Sequence, residues 1–551
     1  MNKISIFLLT ISFLAVLSCT KERLIIQENE LEFDENSSEY QTYQAERAME
    51  YIRMFRFEKL GDIFNKLNDP AVLKNLQDSL HKYRGIAETQ ALYVVTPGND
   101  SLFFIPPENN SNPTLGDEVW LGTNFLANYT KMPNARGVVQ GFKNYPKTTL
   151  FYFYNHLGTG IKGLEEMPDM KRFTWGVSPT DFARAYPDQE FEYVPLQADL
   201  SGSHKLEEIL IFGIQLGNIT YPQHKLKSFS NSNNGLGGGL KMPSGSLDGL
   251  WVEKMVVGGE ADPDFTMAGT KTDNLTFYAA VRTFDVSKSE IKTLTATQAE
   301  KLILHTGMEN LTANLVEKST LPDGLKTLTL SARNLKENLT FPKSLKSLAL
   351  NNYTFEPAFT DLDQMDTLKM SFSTNNDYIG SDYNTLKINT LKLPASLRHI
   401  ALNNGGYYQF DMDGVQFPQS LQSIYISARI KAGTWDLSNL TNLKELQIYT
   451  TTIRDGDIDL KLPASIEKIN FSSTTLAINT LDLSRTTNLN YMHLGTLGGD
   501  NTVTLILPPN LNEHALINAS NYFGGYKPVN LKTGSTIINK PSWFDQYVTY
   551  Y

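Results

Sequence analysis

The spacing of apolar positions changes several times along the chain. Ile4 to Leu17 is one unbroken apolar run behind Met1-Asn2-Lys3. Residues 19–38 are polar and acidic without apolar period, the pattern of an extended tether. Over residues 39–85 the period is helical. Tyr51, Met54, Phe55 and Leu60 recur at helical steps, and Asp69-Pro70 reads as an N-cap and first-turn proline before Val72, Leu73, Leu76 and Leu80. Two helices are expected. Beyond Gly85 the pattern turns strand-like: Ala91–Val95 and Leu102–Ile105 flank the turn sequence Pro97-Gly98-Asn99-Asp100. Val119–Leu121, Leu150–Tyr154 and Lys171–Trp175 read as further strands.

From Asp199 the sequence repeats itself. One version opens Asp-Leu-Ser, at Asp199, Asp436 and Asp482, and places apolar residues at Leu206, Ile209 and Ile211, at Leu443, Leu446 and Ile448, and at Leu489, Met492 and Leu494. A second opens on proline, at Pro322, Pro342, Pro394, Pro418 and Pro463, with the same spacing after it, as in Leu325, Leu328 and Leu330. Most copies lie roughly 20 to 24 residues apart, and Leu511 and Leu516 carry a worn one. This pattern, L-x-x-L-x-L at a fixed period, resembles the leucine-rich repeat, whose short strands stack so that neighbouring turns share one core. The array is expected over residues 199–530, with weak copies in 212–320, irregular return loops, and a C-terminal cap at 531–551.

The stretch 86–198 resembles a divergent FKBP-type peptidyl-prolyl isomerase. The resemblance runs through Leu92-Tyr93-Val94-Val95 before Pro97-Gly98, Pro113-Thr114-Leu115-Gly116-Asp117-Glu118-Val119, Gly160-Ile161-Lys162-Gly163-Leu164-Glu165-Glu166, and Arg172-Phe173-Thr174-Trp175. It implies an α+β FKBP-like domain followed by a leucine-rich-repeat, β-rich solenoid. It also implies a prolyl pocket at Phe142, Phe151, Ile161, Leu164 and Tyr193 that binds a twisted amide without metal or cofactor. Leu164 replaces the family's tryptophan and Lys143 lies near its usual aspartate, which points to a non-catalytic module. The same residues admit another reading. Leu164, Met167, Met170, Phe173 and Trp175 have the spacing of Leu437, Leu440, Leu443, Leu446 and Ile448, that of an early repeat.

The N-terminal run is short for a membrane span and has the layout of a secretory signal over residues 1–18. Val16-Leu17-Ser18-Cys19 resembles the lipobox of lipoproteins of Gram-negative, Bacteroidetes-like bacteria. That resemblance implies lipidation at Cys19 and outer-membrane retention, on the periplasmic side or the cell surface. Cys19 is also the chain's one cysteine, which excludes a disulfide scaffold and any thiolate zinc site. A net charge of −10 argues against nucleic acid as partner.

Further motifs are sparse. The eight histidines are scattered, Asp411-Met412-Asp413-Gly414 and Asp455-Gly456-Asp457 are incomplete calcium loops, and Gly235–Gly239 lacks the Gly-Lys-Ser/Thr of a phosphate loop. The residues between the repeat leucines are more informative, because they point out of the core. Tyr425, Tyr449, Tyr491 and His493 fall there, among small polar groups, on a surface expected to be concave and suited to a protein or glycan. Binding through that face is the expected function. An envelope prolyl isomerase is the alternative.

Overall fold

The computed structural model describes residues 36–53, 57–90, 92–95, 101–104, 118–121, 137–154, 160–176, 193, 195–231, 240–331, 338–352, 359, 361–372, 385–387, 391–403, 409–449, 458–472, 475–522 and 524–551. The chain divides into two compact units, Met1–Pro106 with Val139–Asn144, and Pro107–Val138 with Tyr145–Tyr551. Cys19, the signal segment and Gly235–Gly239 lie outside the described residues.

The first unit is built on helices Ser38–Arg53, Leu60–Phe64 and Pro70–Gln90. Asp69 caps the last of them: its Oδ1 accepts from the backbone N–H of Ala71 at 2.8 Å and of Val72 at 3.3 Å. Ala48, Ile52, Leu60, Ile63, Leu67 and Leu76 form its core. The helix passes through Gly85 to Gln90 instead of stopping there. A lone glycine costs a helix only about 1 kcal/mol, and the residues that follow are compatible with helix. Leu92–Val95 and Ser101–Phe104 pair as the antiparallel hairpin that the turn sequence predicts.

The second unit is a β-solenoid. Among the described residues seventeen strands join one main parallel sheet, paired neighbour to neighbour from Glu118–Leu121 to Tyr491–His493. Three-point apolar spacing explains each turn. Leu325, Leu328 and Leu330 are buried, while Thr327, Thr329 and Ser331 of the strand Thr327–Ser331 are half-buried on its outer side. The supposedly weak region 212–320 contributes full strands, such as Trp251–Val257, which buries Val252, Met255 and Val257. Valine, methionine and phenylalanine there fill leucine positions, so the core survives where the spelling does not.

Two features brace successive turns. The serine of Pro-x-Ser reaches back one turn: Ser396 Oγ donates to Met365 O at 2.8 Å, Ser420 Oγ to Leu397 O at 2.7 Å, and Ser465 Oγ to Leu443 O at 2.7 Å. At the first x of L-x-x-L, charges meet across turns in a row. Glu207 pairs with Lys227, Asp273 with Lys292, Glu309 with Lys326, Asp366 with Arg398, and Lys444 with Glu467.

The return segments are more regular than expected. Gly160–Ile161, Pro195–Asp199, Gln215–Thr220, Leu240–Met242 and Gly259–Ala261 pair in sequence as a second parallel row, and later turns build shorter ones. Residues 531–551 continue this side instead of forming a separate cap, since Val548–Tyr550 pairs parallel to Val529–Leu531. On the main sheet, the turn carrying Leu511 and Leu516 replaces its strand with the helix His514–Tyr522, which lies against Tyr491–His493. That helix covers an edge that would otherwise invite pairing.

The solenoid also begins earlier than residue 199. Leu150–Tyr154 pairs parallel with Arg172–Gly176, which pairs parallel with Glu208–Phe212. Leu164, Met167, Met170, Phe173 and Trp175 are all fully buried, as are their counterparts at Leu443 and Leu446. The early-repeat reading therefore describes residues 164–175, and the strands Glu118–Leu121, Leu150–Tyr154 and Arg172–Gly176 belong to the main parallel sheet of the solenoid rather than to a separate FKBP-like domain. Residues 105–117, 122–136 and 177–192 of that stretch lie outside the described residues.

Candidate functional site

The five residues expected to form a prolyl pocket lie on separate elements. Phe142 is buried in the first unit, in the single turn Phe142–Asn144. Phe151 sits on the main sheet of the second unit, where register with Phe173 turns it inward and their rings stack 5.7 Å apart. Ile161 lies on the return row opposite Ala198, and Leu164 on the turn Leu164–Glu166. Both are buried. Tyr193 is half-buried, with the Lys241 ammonium 4.7 Å above its ring. Burial, followed by the nearby Glu260 charge, raises its pKa. Phe142, Phe151, Ile161 and Leu164 are buried, so these four side chains pack inward and present no open aromatic surface to an X-Pro peptide.

The outer face of the main sheet gathers the other set. Strand register aligns the middle outward positions as Thr312, Thr329, Ala349, Lys369, Ala401, Tyr425, Gln447, Asn470 and His493. Early in this row the side chains are small, apart from Lys369. At the strand Ser423–Ser427 they become large. Tyr425, 36% exposed, meets Tyr449 of the next strand with ring centroids 5.2 Å apart and planes tilted by 36°. Diagonal contacts of this kind are within reach of aromatic side chains on neighbouring strands.

A directed hydrogen-bond network runs through the Tyr449 hydroxyl and spans two strands. Asn470 Nδ2 donates to the Tyr449 hydroxyl at 2.8 Å, which donates to Gln447 Oε1 at 3.0 Å. Gln447 Nε2 in turn donates to Glu445 Oε1 at 2.6 Å, and the same oxygen accepts from Lys468 Nζ at 2.6 Å. Lys468 also stands 5.3 Å from the Tyr491 ring centroid. Burial, aided by Tyr449 and Tyr522, pushes the Tyr491 hydroxyl up to about 12, so it is a neutral donor at ordinary pH. The network fixes these side chains before any ligand arrives, which lowers the ordering cost of binding.

His493 does not belong to this surface. It is only 8% exposed, and burial holds its imidazole down at about 4, so it stays neutral. Asn470 and Ser472 are buried too, since the outer face closes toward the last strand. Spacing alone placed His493 outside the core, as it carries no information about the helix that follows. Glu445, Gln447 and Lys468 also fall at outward positions by spacing, but that they bond to one another is seen only in the structure. Their signal was present as polar residues of matching reach at outward positions of adjacent copies.

Among the described residues no cluster of histidine, cysteine or carboxylate side chains is arranged to hold a metal ion, and no helix is long and apolar enough to cross a membrane. Asp411 of the calcium-like fragment is taken by Lys431 at 3.0 Å, and residues 451–457 lie outside the described residues.

Stacked L-x-x-L-x-L strands, a continuous parallel sheet and a polar outer face define a β-solenoid of the leucine-rich-repeat type. Solved structures similar to the chain are leucine-rich-repeat proteins. One from Leptospira interrogans is 14% identical, covering 61% of this chain and 86% of its own, with a TM-score of 0.26. YopM from Yersinia enterocolitica is 15% identical over 67% of this chain and 86% of its own, with a TM-score of 0.23. The circular leucine-rich-repeat protein CroV588 is 11% identical over 68% of each chain, with a TM-score of 0.25. No family model matches the chain. No curated protein matches it either.

Proposed function

We propose that this chain is a lipid-anchored cell-envelope protein that binds a protein partner through the outer face of its main sheet, centred on Tyr425, Tyr449 and Tyr491. The observation that carries the reading is the Tyr425–Tyr449 pair, joined through the Tyr449 hydroxyl to the network from Asn470 to Glu445 on a sheet whose earlier outward positions are mostly small. Aromatic anchors backed by satisfied polar groups are the composition of binding hot spots. Anchoring and outer-membrane retention rest on the lipobox-like Val16–Cys19. A prolyl-isomerase role has no comparable support, because Phe151, Ile161 and Leu164 are inaccessible.

Envelope extract passed over the immobilised chain tests the reading. A partner retained by the wild type should be lost with Tyr425→Ala and Tyr449→Ala, each costing about 2 kcal/mol or more if it is a hot spot. Retention unchanged by both substitutions sinks the site assignment. In cells, Cys19→Ala should move the protein from the membrane fraction to the soluble one, and continued membrane association would refute the anchor.

A further inference from the structure

A second surface lies on the return side of the solenoid, away from the tyrosines in the fold. The strand Gln215–Thr220 pairs along one edge with Pro195–Asp199, from Gln215↔Pro195 to Thr220↔Asp199. Along its other edge, among the described residues, it pairs with Leu240–Met242 only at Gln215↔Lys241. Pro243 follows directly, with no N–H to extend that pairing, and Gly245 at φ +80° turns the chain away. Leu216 to Thr220 thus run on beyond their last partner. Beside them lies a cleft of about 570 Å³, walled on its far side by Pro243 to Asp248.

Both walls are fixed. On the near wall the pairing slips between Leu216 and Ile219, so Gly217 and Asn218 form a bulge. A Cβ at Gly217 would stand 2.6 Å from Leu196 O, so the bulge fits closely against its neighbour. On the far wall the Ser244 N–H donates to Asp262 Oδ2 at 2.8 Å, and the Tyr221 hydroxyl donates to Ser246 O at 3.1 Å. Among the described residues Asp248 is the one ionisable side chain lining the cleft, and its Oδ1 already accepts from the Ala268 N–H at 2.7 Å.

We infer that this cleft binds an extended peptide segment of a partner protein, which adds as a short strand to the edge Leu216–Thr220. A site with little free charge selects neither a strong cation nor an anion. Its distinguishing offer is the strand edge from Leu216 to Thr220, about 13 Å at roughly 3.3 Å per residue, and an extended main chain presents a donor and an acceptor at every second residue along the edge that faces it. Recognition is then of backbone, with side-chain preference set by the walls.

The test is to pan a displayed random-peptide library on the full chain, counter-selecting on Asn218→Trp, which fills the cleft from an exposed position. Thr220→Trp, also exposed, is a second block should the first fail to fold. A selected peptide should lose affinity about tenfold or more with either block, or when its alternate residues are N-methylated. It should bind Asn218→Ala and Tyr449→Ala as it binds the wild type. Failure to enrich any peptide overturns the inference, as does binding that survives the blocks or N-methylation. Loss with Tyr449→Ala would move the peptide to the tyrosine face and equally overturn it, without harming the function proposed for that face.

Discussion

Phe173 gives the sharpest test of where the solenoid begins. Its side chain is fully buried, stacked 5.7 Å from Phe151 on the preceding strand and 6.3 Å from Trp175 on its own. Phe173→Ala removes the ring's burial, opens a cavity between two turns and deletes both ring contacts. Buried Phe→Ala changes cost about 3–5 kcal/mol. In a stacked array that loss stays close to the mutated turn, because each repeat touches only its neighbours. Amide exchange should therefore rise about a hundredfold or more in Leu150–Tyr154, Arg172–Gly176 and Glu208–Phe212, at about 1.4 kcal/mol per tenfold, while Glu445–Tyr449 keeps its protection. If Glu208–Phe212 is unaffected while 150–176 melts as a unit, residues 150–176 form an independent domain and the repeat assignment is wrong.

Other tests address smaller terms. Ser396→Ala leaves the Met365 carbonyl without its donor and should cost about 1 kcal/mol in urea or thermal unfolding; no loss would mean that water replaces the hydroxyl at no cost. His493 binds its proton far less readily in the folded chain than in the unfolded one, at about 4 against 6.5. Its contribution to stability is therefore complete above pH 6.5 and is lost as pH falls toward 4, by up to about 3 kcal/mol. Comparing unfolding at pH 7 and pH 5 for the wild type and His493→Gln isolates this term, and equal pH dependence in both would refute it.

The repeats were legible because three apolar positions per turn and a proline or Asp-Leu-Ser opening recur over hundreds of residues. The early turns were harder to read. Phe151, Phe173 and Trp175 occupy leucine positions with aromatics, and a short aromatic strand next to Gly-Ile-Lys-Gly-Leu-Glu-Glu fits two folds equally well until strand direction is known. Parallel pairing decides between them. The tyrosine face was legible as a set of outward positions, whereas the burial of His493 depends on the helix His514–Tyr522, which breaks the repeat that would have predicted a strand. The cleft at Gln215–Thr220 depends on a pairing that stops early, and a single sequence holds no record of where pairing stops.

The charge row at the strand entrances has a consequence for how such an array can change its length. Each exposed pair is worth little by itself, about 0–1 kcal/mol. Its sign, however, depends on which turns are adjacent. Between Lys346 and Arg398 stands Asp366, which pairs with Arg398 and whose backbone N–H bonds to Lys346 O. Excising the turn that carries Asp366 would bring Lys346 next to Arg398, whereas Lys326 and Lys346 already occupy adjacent turns, joined through the Lys346 N–H and the Lys326 carbonyl. Around Asp366 the apolar spacing would accept the excision, since the turns on either side bury Leu348 and Leu350, and Ile400 and Leu402, at matching positions. The row therefore adds a small bias of order to modules whose apolar spacing is otherwise alike, and it tolerates a like-charge neighbour such as Lys346 beside Lys326.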